Sequence, residues 1–381
     1  MSIRQMFPGS IVKPGFNPLA APTPSYTYNL YSWGANDSGQ LGLGNTTYKS
    51  SPNQVGALTD WLVLSGCYAT GYGIKTDGTF WSWGANGSGQ VGNGTSYPTP
   101  YPSSPVQIGS LTNWYKVSGS VAFVLSIKTD GTLWGWGNNA YGQLGIGNTG
   151  SRSSPVQVGA LTNWSNLSTG NDSCMAVKTD GTLWGWGNNN VGALGLGNTT
   201  YYSSPKQVGA LTSWLKIACN GYYASMAIKT DGTLWSWGFN GSGSLGLGNT
   251  TSYSSPKQVG ALTNWSTVTA GYKSMFALKT DGTIWSWGAN NNGQLGLGNT
   301  TYYSSPKQVG ALTTWASIQG SYMSALALKT DGTLWVWGSN SGGKLGLGNI
   351  TSYSSPKQVG ALTTWSVLGS TQGRFALALA Y

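Results

Sequence analysis

The sequence predicts an all-β protein, a seven-bladed β-propeller made of four-stranded antiparallel blades. The main observation is a unit of about 50 residues that recurs along the chain. A Trp-Gly dipeptide marks each copy, with the tryptophan at Trp33, Trp83, Trp136, Trp186, Trp237, Trp287 and Trp337. A second observation is that each unit holds four short β-prone runs and no helical periodicity. Repeats of this length with four short strands are typical of propeller blades, in which we expect these tryptophans to pack.

The four strands can be assigned within the unit that ends at Trp237. The β-prone runs cover about residues 207–208, 215–217, 227–229 and 234–237. Asp231-Gly232 separates the last two runs and predicts a hairpin with a type I′ turn, in which both residues have positive φ. The same Asp-Gly pair recurs in five other units, at Asp77, Asp130, Asp180, Asp281 and Asp331.

The chain ends predict how the ring closes. The first strand of the Trp-Gly type, from about Thr27 to Trp33, has no hairpin partner before it. The last strand, from about Arg374 to Tyr381, has none after it. We therefore predict that these two strands pair, so that residues 27–381 form one closed propeller. Closure removes the exposed sheet edges that would otherwise template aggregation.

Residues 1–26 lie outside the repeats and form a Pro-rich segment. Apolar residues are interleaved with its prolines, at Ile3, Met6, Phe7, Ile11, Val12, Phe16 and Leu19. The prolines disfavour a helix, and the apolar residues disfavour a plain solvated tail. We predict an extended docking or anchoring arm that becomes ordered on a partner. Packing of this segment along its own propeller is the alternative.

Composition narrows the class of protein. Charged residues are only 7% of the chain and aromatic residues are 13%, which excludes a disordered chain. No apolar run approaches the length of a membrane span, and no secretory signal is apparent. The formal net charge is +10. The basic residues are spread over the repeats rather than gathered in a stripe, so the sequence does not predict nucleic-acid binding.

Catalytic and metal-binding patterns are not apparent in this sequence. The chain has no His and no Glu, and six of its nine acidic residues belong to the Asp-Gly pairs. The other three are Asp37, Asp60 and Asp172, which lie in different repeats. Cys67, Cys174 and Cys219 are also scattered and indicate buried thiols rather than a disulfide framework or metal site. We therefore expect no enzyme activity, no cofactor and no metal.

Tyrosines in the segments after the Gly-Leu-Gly-Asn runs, and two more in the longer loop at residues 97–102, are the candidate ligand-binding residues. They lie in polar Ser/Thr stretches between the predicted strands, where loops on a rigid scaffold often carry binding. They are Tyr48, Tyr97, Tyr101, Tyr201, Tyr202, Tyr253, Tyr302, Tyr303 and Tyr353. Tyrosines among Asn, Ser and Thr suit stacking and hydrogen bonding to glycans. Packing between adjacent blades is the alternative interpretation.

The runs WGANDSGQLGLGN, WGNNAYGQLGIGN and WGANNNGQLGLGN, at residues 33–45, 136–148 and 287–299, resemble the RCC1 repeat. The resemblance covers about residues 27–381. It implies a seven-bladed propeller closed by mixing N- and C-terminal strands. Such propellers include a nucleotide-exchange factor for a small GTPase, ubiquitin-ligase modules, a bacterial β-lactamase inhibitor and many bacterial and phage proteins. Family repeats often carry a His shortly before the strand that corresponds to residues 227–229, and this chain has none. It also has no long insertion that could act as a wedge into a GTPase.

These observations favour a non-enzymatic propeller scaffold. The expected protein is a phage virion structural or surface protein: a capsid or tail decoration, or a fibre-type adhesin. Its arm would dock to other virion proteins, and the propeller would display a surface for a host glycan or protein. Three features favour this prediction of a virion protein: the weakly charged polar composition, the missing signal peptide and the Pro-rich arm. Whether several copies assemble on the particle stays open.

Two alternatives remain. One is a secreted or cytoplasmic bacterial propeller of the RCC1 type that binds a protein partner, as an inhibitor or adhesion module. The other, less favoured, is a regulator of a GTPase.

Overall fold

The computed structural model describes residues 27–371 and 373–381, which form seven antiparallel four-stranded blades arranged in a ring. The predicted arm, residues 1–26, lies outside the described residues. Strands are numbered along the chain. From the channel outwards, each blade consists of an innermost, a second, a third and an outermost strand.

The innermost strands are β3 (Trp61–Gly66), β7 (Trp114–Gly119), β11 (Trp164–Thr169), β15 (Trp214–Cys219), β19 (Trp265–Ala270), β23 (Trp315–Ser321) and β27 (Trp365–Leu368). The second strands are β4 (Thr70–Lys75), β8 (Phe123–Lys128), β12 (Ser173–Lys178), β16 (Ala224–Lys229), β20 (Ser274–Lys279), β24 (Ser324–Lys329) and β29 (Phe375–Ala380). The third strands are β1 (Asn29–Gly34), β5 (Phe80–Gly84), β9 (Leu133–Gly137), β13 (Leu183–Gly187), β17 (Leu234–Gly238), β21 (Ile284–Gly288) and β25 (Leu334–Gly338). The outermost strands are β2 (Lys49–Gln54), β6 (Val106–Gln107), β10 (Arg152–Gln157), β14 (Tyr202–Gln207), β18 (Tyr253–Gln258), β22 (Tyr303–Gln308) and β26 (Tyr353–Gln358).

The N- and C-terminal strands share one blade, as the sequence predicts. Its strand order is β2-β1-β29-β27, so the N-terminal segment supplies the two outer strands and the C-terminal segment the two inner ones. β1 pairs antiparallel with β29, from Asn29 opposite Ala380 to Gly34 opposite Phe375. The short strand β28 (Ser370–Thr371) then pairs in parallel with β3 of the next blade. The closing blade is thus hydrogen-bonded both within itself and to its neighbour.

Six of the seven outermost strands, all except the two-residue β6, have six residues and are longer than the two-residue strand predicted at 207–208. In that repeat the strand is β14, which ends at Gln207, and the buried Val208 follows it, donating its N–H to Leu183 O. The preceding Ser-Ser-Pro looks unfavourable for a strand. It is tolerated because an outermost strand needs hydrogen bonds on one side only. A bulge opposite Gly185 and Gly187 takes up the extra residues.

The Asp-Gly hairpins are present, but the predicted type I′ turn is wrong. Gly232 has φ +77°, whereas Asp231 is not among the residues with positive φ. Gly232 N–H donates to Lys229 O, and Lys229 N–H donates to Thr233 O, each at 3.0 Å. This is a three-residue loop, a type I turn followed by a left-handed glycine, which needs only one residue with positive φ. Asp231 Oδ1 instead accepts hydrogen bonds from the N–H and hydroxyl of Thr233.

The tryptophans of the Trp-Gly pairs join neighbouring blades. Each of the seven is fully buried, and each indole Nε1–H donates to a backbone carbonyl of the preceding blade at 2.8–3.0 Å. Trp33 completes the circle by donating to Lys344 O, 311 positions away along the chain. Every blade interface therefore combines a large apolar side chain with a satisfied polar atom.

Two other properties follow from this architecture. No helix in the described ranges is long and apolar enough to cross a membrane. Cys67, Cys174 and Cys219 are buried thiols, as the sequence predicts.

Candidate functional site at the mouth of the channel

The two ends of the channel are built from different loops. Strand direction alternates within each blade, so the connections from innermost to second strand and from third to outermost strand lie on the same face. We call this the mouth face. The Asp-Gly turns and the links between blades lie on the opposite face. Residues on the mouth face can therefore come together from several blades.

Five tyrosines on the mouth face form a row of ring contacts. Tyr222 lies 5.4 Å from Tyr272, Tyr272 lies 4.9 Å from Tyr322, and Tyr322 lies 6.5 Å from Tyr68, measured between ring centroids. Tyr223 adjoins Tyr222 at 6.2 Å. We call these five residues the tyrosine arc. All lie between an innermost and a second strand, and all are partly or largely exposed to solvent.

The backbone under the arc is strained. Tyr223 has φ +62° and Met323 has φ +58°, in the left-handed region that costs a non-glycine residue roughly 1–2 kcal/mol. The Asn220 side-chain oxygen accepts the N–H groups of Tyr222 and Ala224, each at 2.8 Å, and so holds the first of these loops in place. Strained backbone persists only where the surrounding structure holds it in place. Such residues are concentrated at functional sites, including sites that bind ligands.

Cations accompany the tyrosines. Lys273 Nζ lies 3.8 Å from the Tyr222 ring centroid, a close cation–π contact. A hydrogen bond with Tyr68 raises the pKa of Arg374. Lys344 lies beneath the arc, only 3% exposed, and donates to Tyr322 O. Burial, and secondarily the charge of Arg374, lowers the pKa of Lys344 to about 7.

An acidic residue flanks each end of the arc. Tyr223 OH donates to Asp172 Oδ2 at 3.4 Å, and burial raises the pKa of Asp172. At the other end, the Tyr48 hydroxyl donates to Asp37 Oδ1. The mouth face therefore presents a central aromatic and cationic patch with carboxylates at its sides. A protein surface with the inverse charge pattern would complement it.

The nine tyrosines predicted from the sequence do not form one continuous site. Four are the first residues of outermost strands and are partly buried: Tyr202, Tyr253, Tyr303 and Tyr353. A lysine four residues later lies 5.4–5.6 Å from each of these rings. The other five lie in connections between third and outermost strands and are 37–74% exposed: Tyr48, Tyr97, Tyr101, Tyr201 and Tyr302. Tyr201 packs against Tyr141, and electrostatic interactions link Tyr48 to Arg374 and Tyr68 of the arc.

Sequence reasoning missed the tyrosine arc, although a signal was present. The repeats are nearly identical at most positions, but the residue two places before each second strand varies. It is Tyr68, Val121, Asn171, Tyr222, Tyr272, Tyr322 and Gly373 in the seven units. A position that varies in an otherwise regular repeat is not fixed by packing that all blades share, so it can serve a function specific to this protein. Its location at the channel mouth, however, is evident only once the ring has closed.

No metal or thiol chemistry is apparent at the mouth. Within residues 27–371 and 373–381, no three His, Cys, Asp or Glu side chains come together as metal ligands would. Burial raises the pKa of the thiols of Cys67, Cys174 and Cys219, which disfavours the reactive thiolate. The groups that the mouth offers are rings, hydroxyls and charges, which suit binding.

Comparison with known proteins places this chain among repeat propellers. The sequence profile of the Regulator of chromosome condensation (RCC1) repeat matches residues 29–64, 77–127, 130–177, 180–228, 231–278, 281–328 and 331–370. The crystal structure of Prp20p from Saccharomyces cerevisiae is similar, with a TM-score of 0.83, 18% identity, and coverage of 93% of this chain and 92% of that chain. Human WBSCR16 is also similar, with a TM-score of 0.81, 19% identity, and coverage of 93% and 98%. At these identities the likeness shows the fold alone.

Proposed function

The chain belongs to the RCC1 repeat family, and from that premise we propose that it is a non-enzymatic scaffold that binds a protein partner through the tyrosine arc. The observation that carries the proposal is the row of ring contacts from Tyr223 to Tyr68, together with Lys273 and Arg374. Tyrosine and arginine are enriched among the residues that dominate protein interfaces. They offer a large apolar surface and a polar tip, and lose little conformational entropy on binding.

Structures of the same fold support this class of function. The yeast structure is described together with the binding properties of Prp20p to Gsp1p and histones, and another shows yeast RCC1 (Prp20) with Kap60 bound. For this chain, the rings and cations of the mouth face indicate the chemistry of the partner surface. We expect a protein with carboxylates that meet Lys273 and Arg374, and with an aromatic or aliphatic side chain that packs against the rings.

Paired variants on the same face test the proposal. Tyr272→Ala with Tyr322→Ala interrupts the arc, whereas Tyr201→Ala with Tyr302→Ala removes two exposed tyrosines farther out. Partners would be captured from the source culture by cross-linking, identified by mass spectrometry and purified, and their affinities measured by calorimetry. We expect the arc variant to bind at least tenfold more weakly, because interface anchors contribute about 2 kcal/mol or more each. Equal losses from both variants would contradict the role of the arc.

The setting that we propose is the surface of a phage virion, where residues 1–26 dock to other virion proteins and the mouth face meets a host-surface protein. The weakly charged polar composition and the Pro-rich N-terminal segment support this setting. Deletion of residues 1–26 should abolish incorporation into particles while the propeller stays folded. Mass spectrometry of purified virions and host fractions measures this. Recovery of the intact protein only as a free cytoplasmic species would favour the bacterial alternative.

A further inference from the structure

The central channel has its own chemistry, separate from that of the mouth face. Each innermost strand has a bulge after its first tryptophan, and the next residue in register occupies an equivalent position around the channel. These equivalent residues are Val63, Lys116, Asn166, Lys216, Thr267, Ser317 and Val367. The ring of seven positions thus includes two lysines, on β7 and β15. One innermost strand, β11, lies between these two strands around the ring.

The hydrogen bonds of the two lysines are incomplete. Lys116 Nζ donates to Ser165 O on the next innermost strand at 2.7 Å. Asn166 Nδ2 makes a similar, longer contact with Leu215 O, at 3.4 Å. Among the described residues, Lys216 Nζ has no acceptor within hydrogen-bond distance. An ammonium group has three protons to donate, so both lysines keep donors for a ligand.

No acidic side chain balances these charges inside the channel. Six of the nine aspartates lie in the Asp-Gly turns, and Asp37, Asp60 and Asp172 lie in loops, so none is on an innermost strand. Burial, and then the charge of Lys216, lowers the pKa of Lys116 to about 8, and burial lowers that of Lys216. The channel therefore contains two partly desolvated cations without a carboxylate.

We propose that the channel binds a phosphate-class dianion between Lys116 and Lys216. Two ammonium groups match the charge of hydrogen phosphate, and charge-assisted hydrogen bonds to its oxygens use the donors that remain free. Binding also removes the repulsion between the lysines. Carbonyl oxygens such as Ser165 O face the same region and can accept the proton of hydrogen phosphate. This site does not depend on the partner proposed for the mouth face.

Thermal unfolding with inorganic phosphate tests the site. Wild-type protein, the K116M/K216M variant and the control K206M/K257M would be compared at pH 7 in phosphate and in sodium chloride of equal ionic strength. The control removes two exposed lysines of the outermost strands. We expect phosphate to raise the Tm of the wild type and the control by several degrees, and to leave that of K116M/K216M unchanged. K116Q/K216Q replaces the first variant if that fails to fold.

Direct binding completes the test. Phosphorus NMR should show exchange broadening of phosphate with the wild type and at least a tenfold weaker affinity for K116M/K216M. Inorganic phosphate and a phosphoserine peptide would be measured in parallel. Binding of phosphate alone identifies a free ion as the ligand, and binding of both identifies a phosphomonoester group that enters the channel. A wild type without a phosphate effect, or an equal effect in K116M/K216M, would overturn the proposal.

Discussion

Lys178 lies between two indole rings, with its ammonium group 5.0 Å from the Trp164 centroid and 3.8 Å from that of Trp184. The Trp184 indole N–H donates to Thr182 Oγ1, whose hydroxyl donates to Asp180. Lys75, Lys128, Lys229, Lys279 and Lys329 lie over the equivalent tryptophan pairs. Six of the 19 basic residues of the chain are therefore used in packing, one in each of six blades, which agrees with the absence of a basic stripe in the sequence.

We expect Lys178→Met to lower the free energy of unfolding by about 1–2 kcal/mol, because a desolvated cation–π contact is lost while the aliphatic stem remains. Lys206→Met is the matched control. Its ammonium group is 5.6 Å from a single ring centroid, that of Tyr202, and the residue is exposed. The control should change stability by less than about 0.5 kcal/mol. Urea unfolding followed by tryptophan fluorescence measures both, and equal effects would contradict the cation–π assignment.

Lys344 predicts a pH dependence of stability. It occupies a position that is glutamine in four other repeats, at Gln40, Gln90, Gln143 and Gln294. Its folded-state pKa of about 7 lies below the unfolded value of roughly 10.4, so folding releases a proton between these pH values. The free energy of unfolding therefore rises with pH across this window, and the full penalty applies below pH 7.

We expect Lys344→Gln to remove this contribution. The stability of the variant relative to the wild type should be greater at pH 6 than at pH 10 by at least about 1.4 kcal/mol, the equivalent of one pKa unit. Unfolding at a series of pH values measures the difference, and Lys206→Gln serves as the control. A constant difference between Lys344→Gln and wild type across the range would refute the prediction.

At the scale of the element, the Asp-Gly turn shows how a short motif fixes a hairpin. Gly232 has positive φ, and a Cβ placed on it would lie 2.0 Å from Thr263 O in the link to the next blade. Both the backbone conformation and the close approach therefore require glycine at this position. The turn thus connects two strands of one blade and also packs against the segment that leads to the next blade.

Gly232→Ala should destabilise the protein by at least about 3 kcal/mol, since it combines left-handed strain with a steric clash. Gly209→Ala is the matched control, because Gly209 has φ +60° but a Cβ there would meet no atom within 4 Å. We expect the control to cost about 1–2 kcal/mol, from backbone strain alone. Chemical unfolding of the two variants separates the contributions, and equal losses would argue against the close contact.

For the whole molecule, closure brings the ends of the propeller together. The rings of Tyr28 and Tyr381 lie 6.2 Å apart between centroids, and β1 and β29 are paired along six residues each. The seven blade interfaces share the same tryptophan hydrogen bond, including the one across the chain ends. The closing interface therefore resembles the others, although its two sides are far apart in the sequence.

A circular permutant tests this equivalence. Joining Tyr381 to Thr27 by a short linker and opening the chain between Thr99 and Pro100, in the exposed β5–β6 connection, should give a folded ring. Its Tm should lie within a few degrees of the parent value, because neither change disrupts a blade. Opening between Met226 and Ala227, inside β16, should prevent folding. Circular dichroism and size-exclusion chromatography compare them; a misfolded first permutant would show that closure depends on the native chain ends.

Much of the fold was predictable because its signals are local and repeated. The period, the Asp-Gly pairs and the two unmatched terminal strands predict the blade count and the closure correctly. Strand limits were less accurate. The Ser-Ser-Pro segment within β14 is strand only because β14 is outermost, and that position depends on the neighbouring strands. The turn type depended on loop length, which sequence propensity alone did not settle.

The sequence by itself determined the blade, its sevenfold repetition and the pairing of its ends, because each unit contains the residues that its own strands and turns require. Only the tertiary structure decided which residues from different blades meet. Tyr68 and Tyr322 are 254 positions apart and become neighbours at the channel mouth. The charge of Lys216 contributes to the lowered pKa of Lys116 although β11 lies between their strands. The physical reason is that contacts around a closed ring depend on the arrangement of the blades, which no single repeat contains.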